Sequence, residues 1–476
     1  MPLLGRRHTI QMKKKPQNHK NKRTKIKLDS GLPMINPDAA GIDIGHREHW
    51  CAVPVERSAK PVQRFGTFTE DLEKLADWLK ECGIKTVAME STGVYWIPAF
   101  QILERRGFEV RLVNARQVKN VSGRKTDVLD CQWLQRLHSY GLLNASFRPA
   151  DEMCVLRSYL RYRDELVCAR SVQCQHMQKA LQQMNVQLHQ VLSDITGLSG
   201  LRIIEAILAG ERDAEKLANL ADRRVHASKA TIQRALKGDY RSEHMFLLKV
   251  AFELHGTYEK KIHECDEQVI AEMAKLPARV DPKQKPLAPR KPGRAPIRDM
   301  VAGKDLREEL YRWTGVDLTA IEGIGVLSAQ VILSEIGTDM SRWRTEKHFT
   351  SWLGLCPDNR ISGGKILSSH TRHVINPVAD VLRIAATTLE RNKSALGAFY
   401  RRMKGRLGPA SAITATAHKL ARLIYRLLKH GDAYVRQGIE VYEQKYRERL
   451  IHNLKKTAAS FGFQLTETKE LAQGVS

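Results

Sequence analysis

The alternation of apolar and polar residues changes character along the chain. From Ala39 the segments AAGIDIG, HWCAVPV and QRFGTF have the length and composition of β-strands. Helical periodicity and apolar runs then alternate as TEDLEKLADWLKECG, IKTVAMES, VYWIPAFQILERRG, FEVRLVNA and TDVLDCQWLQRLHSYG. Three strands that can form a meander, followed by βαβ units, predict a mixed sheet with helices on its faces.

The rest of the chain is predicted to be mostly helical. Residues 150–275 lack proline, and their long periodicity predicts long helices that pair in part as a coiled coil. A segment rich in proline and basic residues follows, and we expect it to be extended. The pattern predicts a tail (1–36), a mixed α/β domain (37–148), a helical connector (149–276), a linker (277–299), an all-helical domain (300–435) and a C-terminal extension (436–476).

The charge of the 476-residue chain indicates a polyanionic partner. Lys and Arg total 78 against 52 acidic residues, a formal net charge of +26, and nucleic acid is the usual partner of such a surplus. Ten Lys or Arg fall between Arg6 and Lys27 with no acid among them. We expect a disordered tail that lies on phosphates, with a solvated tail of no role as the alternative.

Two other classes of protein are disfavoured by the sequence. No apolar run approaches the ~20 residues of a membrane span, and the first residues lack the apolar core of a signal peptide. We therefore expect a cytoplasmic, nucleoid-associated protein of a bacterium or archaeon. The eight cysteines form no CxxC pair, which indicates neither a zinc module nor a disulfide framework.

Four acidic residues stand at positions where the predicted fold would bring them together. Asp43 lies inside the first strand, Glu90 ends the fourth, and Asp127 and Asp130 share one face of the helix that follows the fifth strand. Burying a charge within a strand is costly unless it is paired. Each acid alone also fits a helix cap or strand end, but the set predicts convergence.

Converging carboxylates require a cation, and oxygen-only ligands favour Mg²⁺ or Mn²⁺. Two such ions ~4 Å apart can clamp a phosphodiester. GIDIG also resembles the first phosphate loop of actin-like kinases, but the second glycine-rich Asp loop of that class is not found. The sequence therefore predicts a metal-dependent site for nucleic acid.

The C-terminal half contains a candidate nucleophile. Ser362 precedes Gly363 and Gly364, with Arg360 and Lys365 close in sequence. A serine among cations can attack a phosphodiester while the cations stabilise developing charge. Ser-Gly-Gly is also an ordinary turn, so the residues alone leave both readings open.

A glycine turn precedes this segment. LTAIEGIGVLSAQVILSEIG is predicted to be a helix, a tight turn through Gly323 and Gly325, and a second helix. Such a helix-hairpin-helix can hold a DNA phosphate on backbone N–H groups without reading bases. A simple packed helical hairpin is the alternative.

Together these landmarks resemble the DEDD transposases of the insertion sequence 110 family. The resemblance covers most of residues 39–430, and its segments stand in the family's order. It implies a RuvC-like domain of ribonuclease-H-like fold joined through helices to a C-terminal transposase domain. The segments are GIDIG, AMESTGVYW, VNARQVKNVSGRKTDVLDCQWL, PADEMCVLRSYLRYRDELV, EGIGVLSAQVILSEIG and LGLCPDNRISGGK.

The resemblance also implies roles and partners. Asp43, Glu90, Asp127 and Asp130 would bind the metal, and Ser362 would bond covalently to a DNA end. A structured guide RNA would select donor and target DNA. The subunits would form dimers and tetramers whose composite active sites combine domains from different subunits.

We therefore expect DNA strand exchange by transesterification. Two alternatives stay open at this stage. One is a metal-dependent junction-resolving nuclease of RuvC type, in which Ser362 is only a turn residue. The other is a non-catalytic nucleic-acid-binding protein that retains the fold.

Overall fold

The computed structural model describes residues 33–91, 93–114, 127–289, 300–431, 444, 447–448 and 450–464. These residues divide into two compact units that meet in sequence between Arg148 and Pro149. Most of the predicted tail, residues 290–299 of the predicted linker and much of the predicted C-terminal extension lie outside the described residues. None of the described helices is long and apolar enough to cross a membrane.

The first unit is built on a mixed five-stranded sheet, which confirms the predicted sheet type. Its strands follow the order β3-β2-β1-β4-β5. The first three form an antiparallel meander, whereas β1, β4 and β5 are parallel. The elements are β1 (Ala39–Ile44), β2 (Glu48–Ala52), β3 (Val62–Gly66), α1 (Thr69–Glu81), β4 (Thr86–Glu90), α2 (Trp96–Arg105), β5 (Glu109–Val113) and α3 (Asp127–Ser139).

Helices cover both faces of this sheet. Ile42 packs in the core with residues of α1 and α2, among them Leu75 and Leu103, all three of them almost completely buried. Each such side chain contributes about 1.5–3 kcal/mol of hydrophobic stabilisation. Because side chains alternate along a strand, Gly41 and Asp43 point to the opposite face, against which α3 packs.

The second unit is mostly helical, as the periodicity predicted. Its helices are α4 (Asp151–Gln183), α5 (Leu188–Val191), α6 (Leu198–Leu208), α7 (Ala214–Asn219), α8 (Lys229–Ala235), α9 (Ser242–Lys275), α10 (Leu306–Thr314), α11 (Val326–Ile336), α12 (Glu346–Trp352), α13 (Pro377–Thr388), α14 (Ala395–Leu407) and α15 (Pro409–His430). Its strands are β6 (Met300–Val301), β7 (Lys304–Asp305), β8 (Arg360–Ser362) and β9 (Lys365–Ser368).

The long helices α4 and α9 pack along each other in antiparallel directions. Arg163 pairs with Asp266, whereas Arg170, further along α4, pairs with Glu259, which is earlier in α9. Between the two helices in sequence, α5 to α8 form a lobe that shares an apolar core with the last turns of α4 and the first turns of α9. The periodicity predicted long helices over residues 150–275, and the short helices of this lobe differ from that prediction.

A buried ion cluster connects α4 to the C-terminal part of this unit. The carboxylate of Glu335 on α11 accepts hydrogen bonds from Arg157 at 2.9 Å and Arg161 at 2.8 Å, both on α4. The Glu335 side chain is only 9% exposed. A buried carboxylate needs such partners, so the cluster fixes α11 against the first turns of α4.

The prediction that residues 300–435 are all helical was wrong at two places. Strands β6 and β7 form one hairpin, and β8 and β9 form another. The second arises because Gly363 and Gly364 both adopt positive φ, 55° and 77°. A two-residue turn of this kind matches the twist of paired strands, and the β-branched Ile361 and Ile366 favour strand conformation.

Candidate active site

Asp43 and Glu90 lie side by side at one edge of the first unit's sheet. The parallel pairing of β1 with β4 aligns Ile42 with Met89. The next residues on the two strands, Asp43 and Glu90, are therefore also adjacent. Neighbouring strands are ~4.8 Å apart, and paired positions point to the same face. Both acids therefore lie on the face that α3 covers, and both are half-buried.

Helix α3 brings Asp130 to the same edge. The backbone N–H groups of Ile35 and Asn36 donate to the carbonyl oxygen of Ser139, each at 2.9 Å. The end of α3 therefore lies at the start of β1, and the first turn of α3 lies near the end of that strand. This turn carries half-buried Asp130 and begins at Asp127, whose side chain lies outside the described part of the chain.

The carboxylates at this edge affect the pKa of the Cys131 thiol. Burial raises the pKa of this thiol to about 12, and the carboxylates of Asp43 and Asp130 add to the increase. Cys131 follows Asp130 directly, and its carbonyl oxygen lies against Gly41, two positions before Asp43. The thiol is protonated at neutral pH, and it donates a hydrogen bond to the Val128 carbonyl oxygen at 3.2 Å. It is therefore not a reactive thiolate.

The donor set suits a hard divalent cation. Carboxylate oxygens are the ligands that Mg²⁺ and Mn²⁺ prefer, and Asp43, Glu90 and Asp130 supply only such oxygens. Within the described residues, however, no group of three His, Cys, Asp or Glu side chains is placed to hold an ion. The fold brings the three acids to one edge without forming a finished coordination site.

Two aromatic residues that the sequence analysis did not single out lie at this edge. His46 comes three positions after Asp43, and Tyr95 comes five positions after Glu90. Their ring centroids are 6.3 Å apart, with the planes tilted by 57°. Both residues are exposed. The sequence signal that could have identified His46 and Tyr95 is an aromatic residue a few positions after each strand that carries an acid.

Ser362 lies at the tip of an exposed β-hairpin in the second unit. It pairs with Lys365 across the Gly363-Gly364 turn, so the hydroxyl and the ammonium group are on the same face of the hairpin. Arg360 lies two positions before Ser362 on the same strand, and all three residues are exposed. The structure thus places the predicted nucleophile and both predicted cations on one short hairpin.

The opposite face of this hairpin is apolar and exposed. Ile361 pairs with Ile366, and their exposed fractions are 62% and 63%. Paired apolar side chains on a two-stranded hairpin are normally covered. The hairpin is therefore suited to contact another surface through this face while it presents Ser362 on the other.

The glycine turn differs from the predicted helix-hairpin-helix. A three-residue 3-10 helix, Leu318–Ala320, replaces the first helix before the turn. Gly323 has a φ of 86°, and a Cβ atom there would be 3.0 Å from the Ala385 carbonyl oxygen, so backbone geometry and packing explain this glycine. A Cβ atom at Gly325 would meet no described atom within 4 Å. Of the two glycines, Gly325 remains the better candidate for a phosphate contact.

Comparisons with known proteins identify two parts of the chain. The family model for IS110 DEDD transposases, described as "Transposase", matches residues 40–186. The model described as "Transposase IS116/IS110/IS902 family" matches residues 317–401. The first range contains Asp43, Glu90, Asp127 and Asp130, and the second contains Ser362.

Two curated relatives are similar to shorter segments. "Putative transposase y4pF/y4sB" of Sinorhizobium fredii is 28% identical over 143 residues, which are 28% of this chain. "Probable family 20 transposase" of Pseudomonas aeruginosa is 31% identical over 128 residues, which are 25% of this chain. In both cases the match spans 36% of the relative's own length.

Proposed function

Because the chain belongs to the IS110 family of transposases, we propose that it is a DNA transposase that cuts and rejoins strands by transesterification. Ser362 is the proposed nucleophile, and Asp43, Glu90, Asp127 and Asp130 are the proposed metal ligands. The observation that carries the proposal is the position of Ser362 at an exposed hairpin tip, opposite Lys365.

Serine chemistry accounts for both cutting and rejoining. The Ser362 oxygen forms an ester bond to the scissile phosphorus while the bond from phosphorus to a deoxyribose oxygen breaks. The hydroxyl proton ends on the released sugar oxygen, so the phosphodiester energy is kept in the protein–DNA link. Attack by a hydroxyl from a new DNA end reverses these steps and joins a different partner.

The cations of the hairpin bind and orient the phosphate. Lys365 lies across from Ser362, and Arg360 lies on the same strand two positions before the serine, so both cations are close to the hydroxyl along the hairpin. Charge-assisted hydrogen bonds to phosphate oxygens are about twice as strong as neutral ones. Gly363 and Gly364 carry no side chains, which leaves room for the DNA backbone to approach the serine.

The carboxylate edge has a separate task. Asp43, Glu90 and Asp130, with Asp127 at the start of α3, would hold Mg²⁺ or Mn²⁺. When bound, such ions supply positive charge for the phosphate and lower the pKa of an attacking hydroxyl. The half-burial of Asp43 and Glu90 limits water at this edge, which strengthens their interaction with a cation.

Partners follow from the charge and the family. The net charge of +26 supports binding to nucleic acid, which we propose to be donor DNA, target DNA and a structured guide RNA. The family resemblance adds an assembly of two or four copies. We expect purified protein to carry a discrete RNA, with an affinity that falls steeply as salt increases. Recovery of only random cellular fragments would argue against guidance.

Covalent trapping tests the serine mechanism. Wild-type protein incubated with its element's DNA junction and Mg²⁺ should give a protein–DNA adduct that survives denaturation. Ser362→Ala should bind the same DNA and give no adduct. Ser368→Ala is the matched control, because Ser368 lies on the same hairpin and its loss should leave the adduct unchanged. An undiminished adduct in Ser362→Ala would assign the nucleophile elsewhere.

The same experiment separates a hydrolytic alternative, which the adjacent Asp43 and Glu90 would favour. A metal-dependent nuclease uses water, so its DNA products have free ends and carry no protein. Metal-dependent cleavage that is equal in wild type and Ser362→Ala would support that function. The absence of any strand breakage would favour a protein that only binds nucleic acid.

A further inference from the structure

An exposed pair of rings flanks the carboxylate edge of the first unit. His46 and Tyr95 come from the segments that follow β1 and β4, and their ring centroids are 6.3 Å apart. The side chain of Tyr95 is exposed, with a residue exposure of 48%, and its neighbour Val94 is 67% exposed. A large ring surface thus stands open beside Asp43 and Glu90.

Tyr95 differs in this respect from the next residue in sequence. The indole N–H of Trp96 donates to the Gly93 carbonyl oxygen at 3.1 Å, and its ring packs edge-on against Phe100 at the core of the unit. Tyr95 precedes α2 without capping it through its side chain. Trp96 therefore holds the turn in place, whereas the fold leaves the Tyr95 ring largely outside the core.

We propose that His46 and Tyr95 form a stacking platform for an unpaired nucleobase of the DNA strand that the carboxylates engage. This inference rests on the proposed function, because it assumes that DNA occupies this edge. The ligand is the flat face of a base rather than a phosphate. Aromatic side chains stack on bases of any sequence, since every base has such a face.

Charge favours a base over a phosphate at this position. Asp43 and Glu90 repel a phosphate that no cation screens, whereas a nucleobase is neutral. The rings of His46 and Tyr95 offer apolar faces with polar edges, a combination suited to a partly wet contact. A base buried inside a duplex cannot present its face, so the platform requires a strand that is locally unpaired.

The distance along the chain sets which base is within reach. His46 is three positions after Asp43, so their Cα atoms are at most roughly 10 Å apart. Stacked nucleotides rise about 3.4 Å per step along one strand. The platform therefore serves a base within about three nucleotides of the phosphate that the carboxylates engage.

Fluorescence of 2-aminopurine tests the platform directly. The full-length protein is mixed, in metal-free buffer, with short single-stranded oligonucleotides that carry this base analogue at successive positions. Stacking on the rings should quench the fluorescence. Tyr95→Phe should keep the quenching, whereas Tyr95→Ala should lose it and weaken binding about 5- to 150-fold. His46→Ala should lose part of the quenching and part of the binding affinity.

A control variant makes the outcome specific. Tyr162→Ala removes a tyrosine of the second unit that is 58% exposed, and it should leave quenching unchanged. The assay needs neither metal nor cleavage, so a failure of the proposed catalysis would not alter this result. The platform is refuted if Tyr95→Ala, folded as judged by its melting temperature, quenches and binds like wild type. Equal losses in Tyr95→Phe and Tyr95→Ala would refute it too.

Discussion

Gly41 on β1 lies directly against the backbone of Cys131 on α3. A Cβ atom on Gly41 would be 2.5 Å from the Cys131 carbonyl oxygen and 2.3 Å from the Gln135 nitrogen. Both neighbours are backbone atoms, so a small side-chain adjustment cannot relieve the clash. The glycine is what allows α3, with Asp130, to approach the carboxylate edge.

Substitution of this glycine should therefore move the helix. We expect Gly41→Ala to lower the free energy of unfolding by about 1–3 kcal/mol through overpacking and to reduce DNA cleavage. Gly256→Ala is the control, since Gly256 lies inside α9 and a Cβ there meets no described atom within 4 Å. That substitution should stabilise the protein by up to about 1 kcal/mol. Equal melting temperatures for Gly41→Ala and wild type would contradict the packing argument.

The carboxylates should be required for cleavage but not for folding. Bound cations contribute several kcal/mol to phosphoryl-transfer transition states, so Asp43→Asn and Asp130→Asn should each slow strand cleavage by about a hundredfold or more. Asp77→Asn is the control, because Asp77 lies on α1 over the opposite face of the sheet. Gel assays of DNA cleavage with and without Mg²⁺ measure the effect. Full activity of Asp43→Asn would remove the metal-site assignment.

His138 should make the first unit sensitive to acid. It is completely buried, its Nε2 is 2.9 Å from Thr86 Oγ1, and burial lowers its pKa from 6.5 to about 4. Between these values the unfolded chain binds a proton that the folded chain does not, so stability falls as pH falls from 6.5 to 4. The loss amounts to roughly 2 kcal/mol between pH 7 and pH 5.

Calorimetric unfolding at several pH values measures this effect. A His138→Gln variant has no imidazole to protonate, so its stability should depend less on pH over this range. Parallel pH profiles for wild type and the variant would show that His138 does not contribute. The comparison is between slopes, because the variant also loses packing at every pH.

The Ser362 hairpin should depend on the conformation of its turn. Gly363 has a φ of 55°, a region in which a β-branched residue is strained by about 1–2 kcal/mol. Gly363→Val should therefore abolish most adduct formation with little change in the melting temperature, because the hairpin is exposed. Gly363→Asn should keep the activity, since Asn-Gly is favoured in this turn. Equal adduct yields from Gly363→Val and wild type would show that the turn is not needed.

Much of the first unit could be predicted from sequence because its periodicity is strong. Apolar runs such as KTVAME alternate with amphipathic helices, and in the fold proposed from that order β1 and β4 are neighbours, as they are in the structure. The same order predicted that Asp43 and Glu90 meet at one edge. Their final geometry with Asp127 and Asp130 depends on side-chain packing, which periodicity does not specify.

The Ser362 hairpin of the second unit was hard to predict for a physical reason. Strands β8 and β9 contain three and four residues, too few for a period of two to be distinguished from a turn. The ring contact between His46 and Tyr95 in the first unit was missed for a different reason. It joins residues far apart in sequence, and only the register of β1 against β4 brings them together.

The paired helices α4 and α9 fix a length within the second unit. Helix α4 has 33 residues, which correspond to about 50 Å at 1.5 Å per residue. The ion pairs of Glu335 hold α11 near the start of α4. The lobe of α5 to α8 follows the end of α4. A rod of that length matches about 15 base pairs of duplex at 3.4 Å each. The helix pair therefore holds the surfaces at its two ends at a separation set by the length of α4.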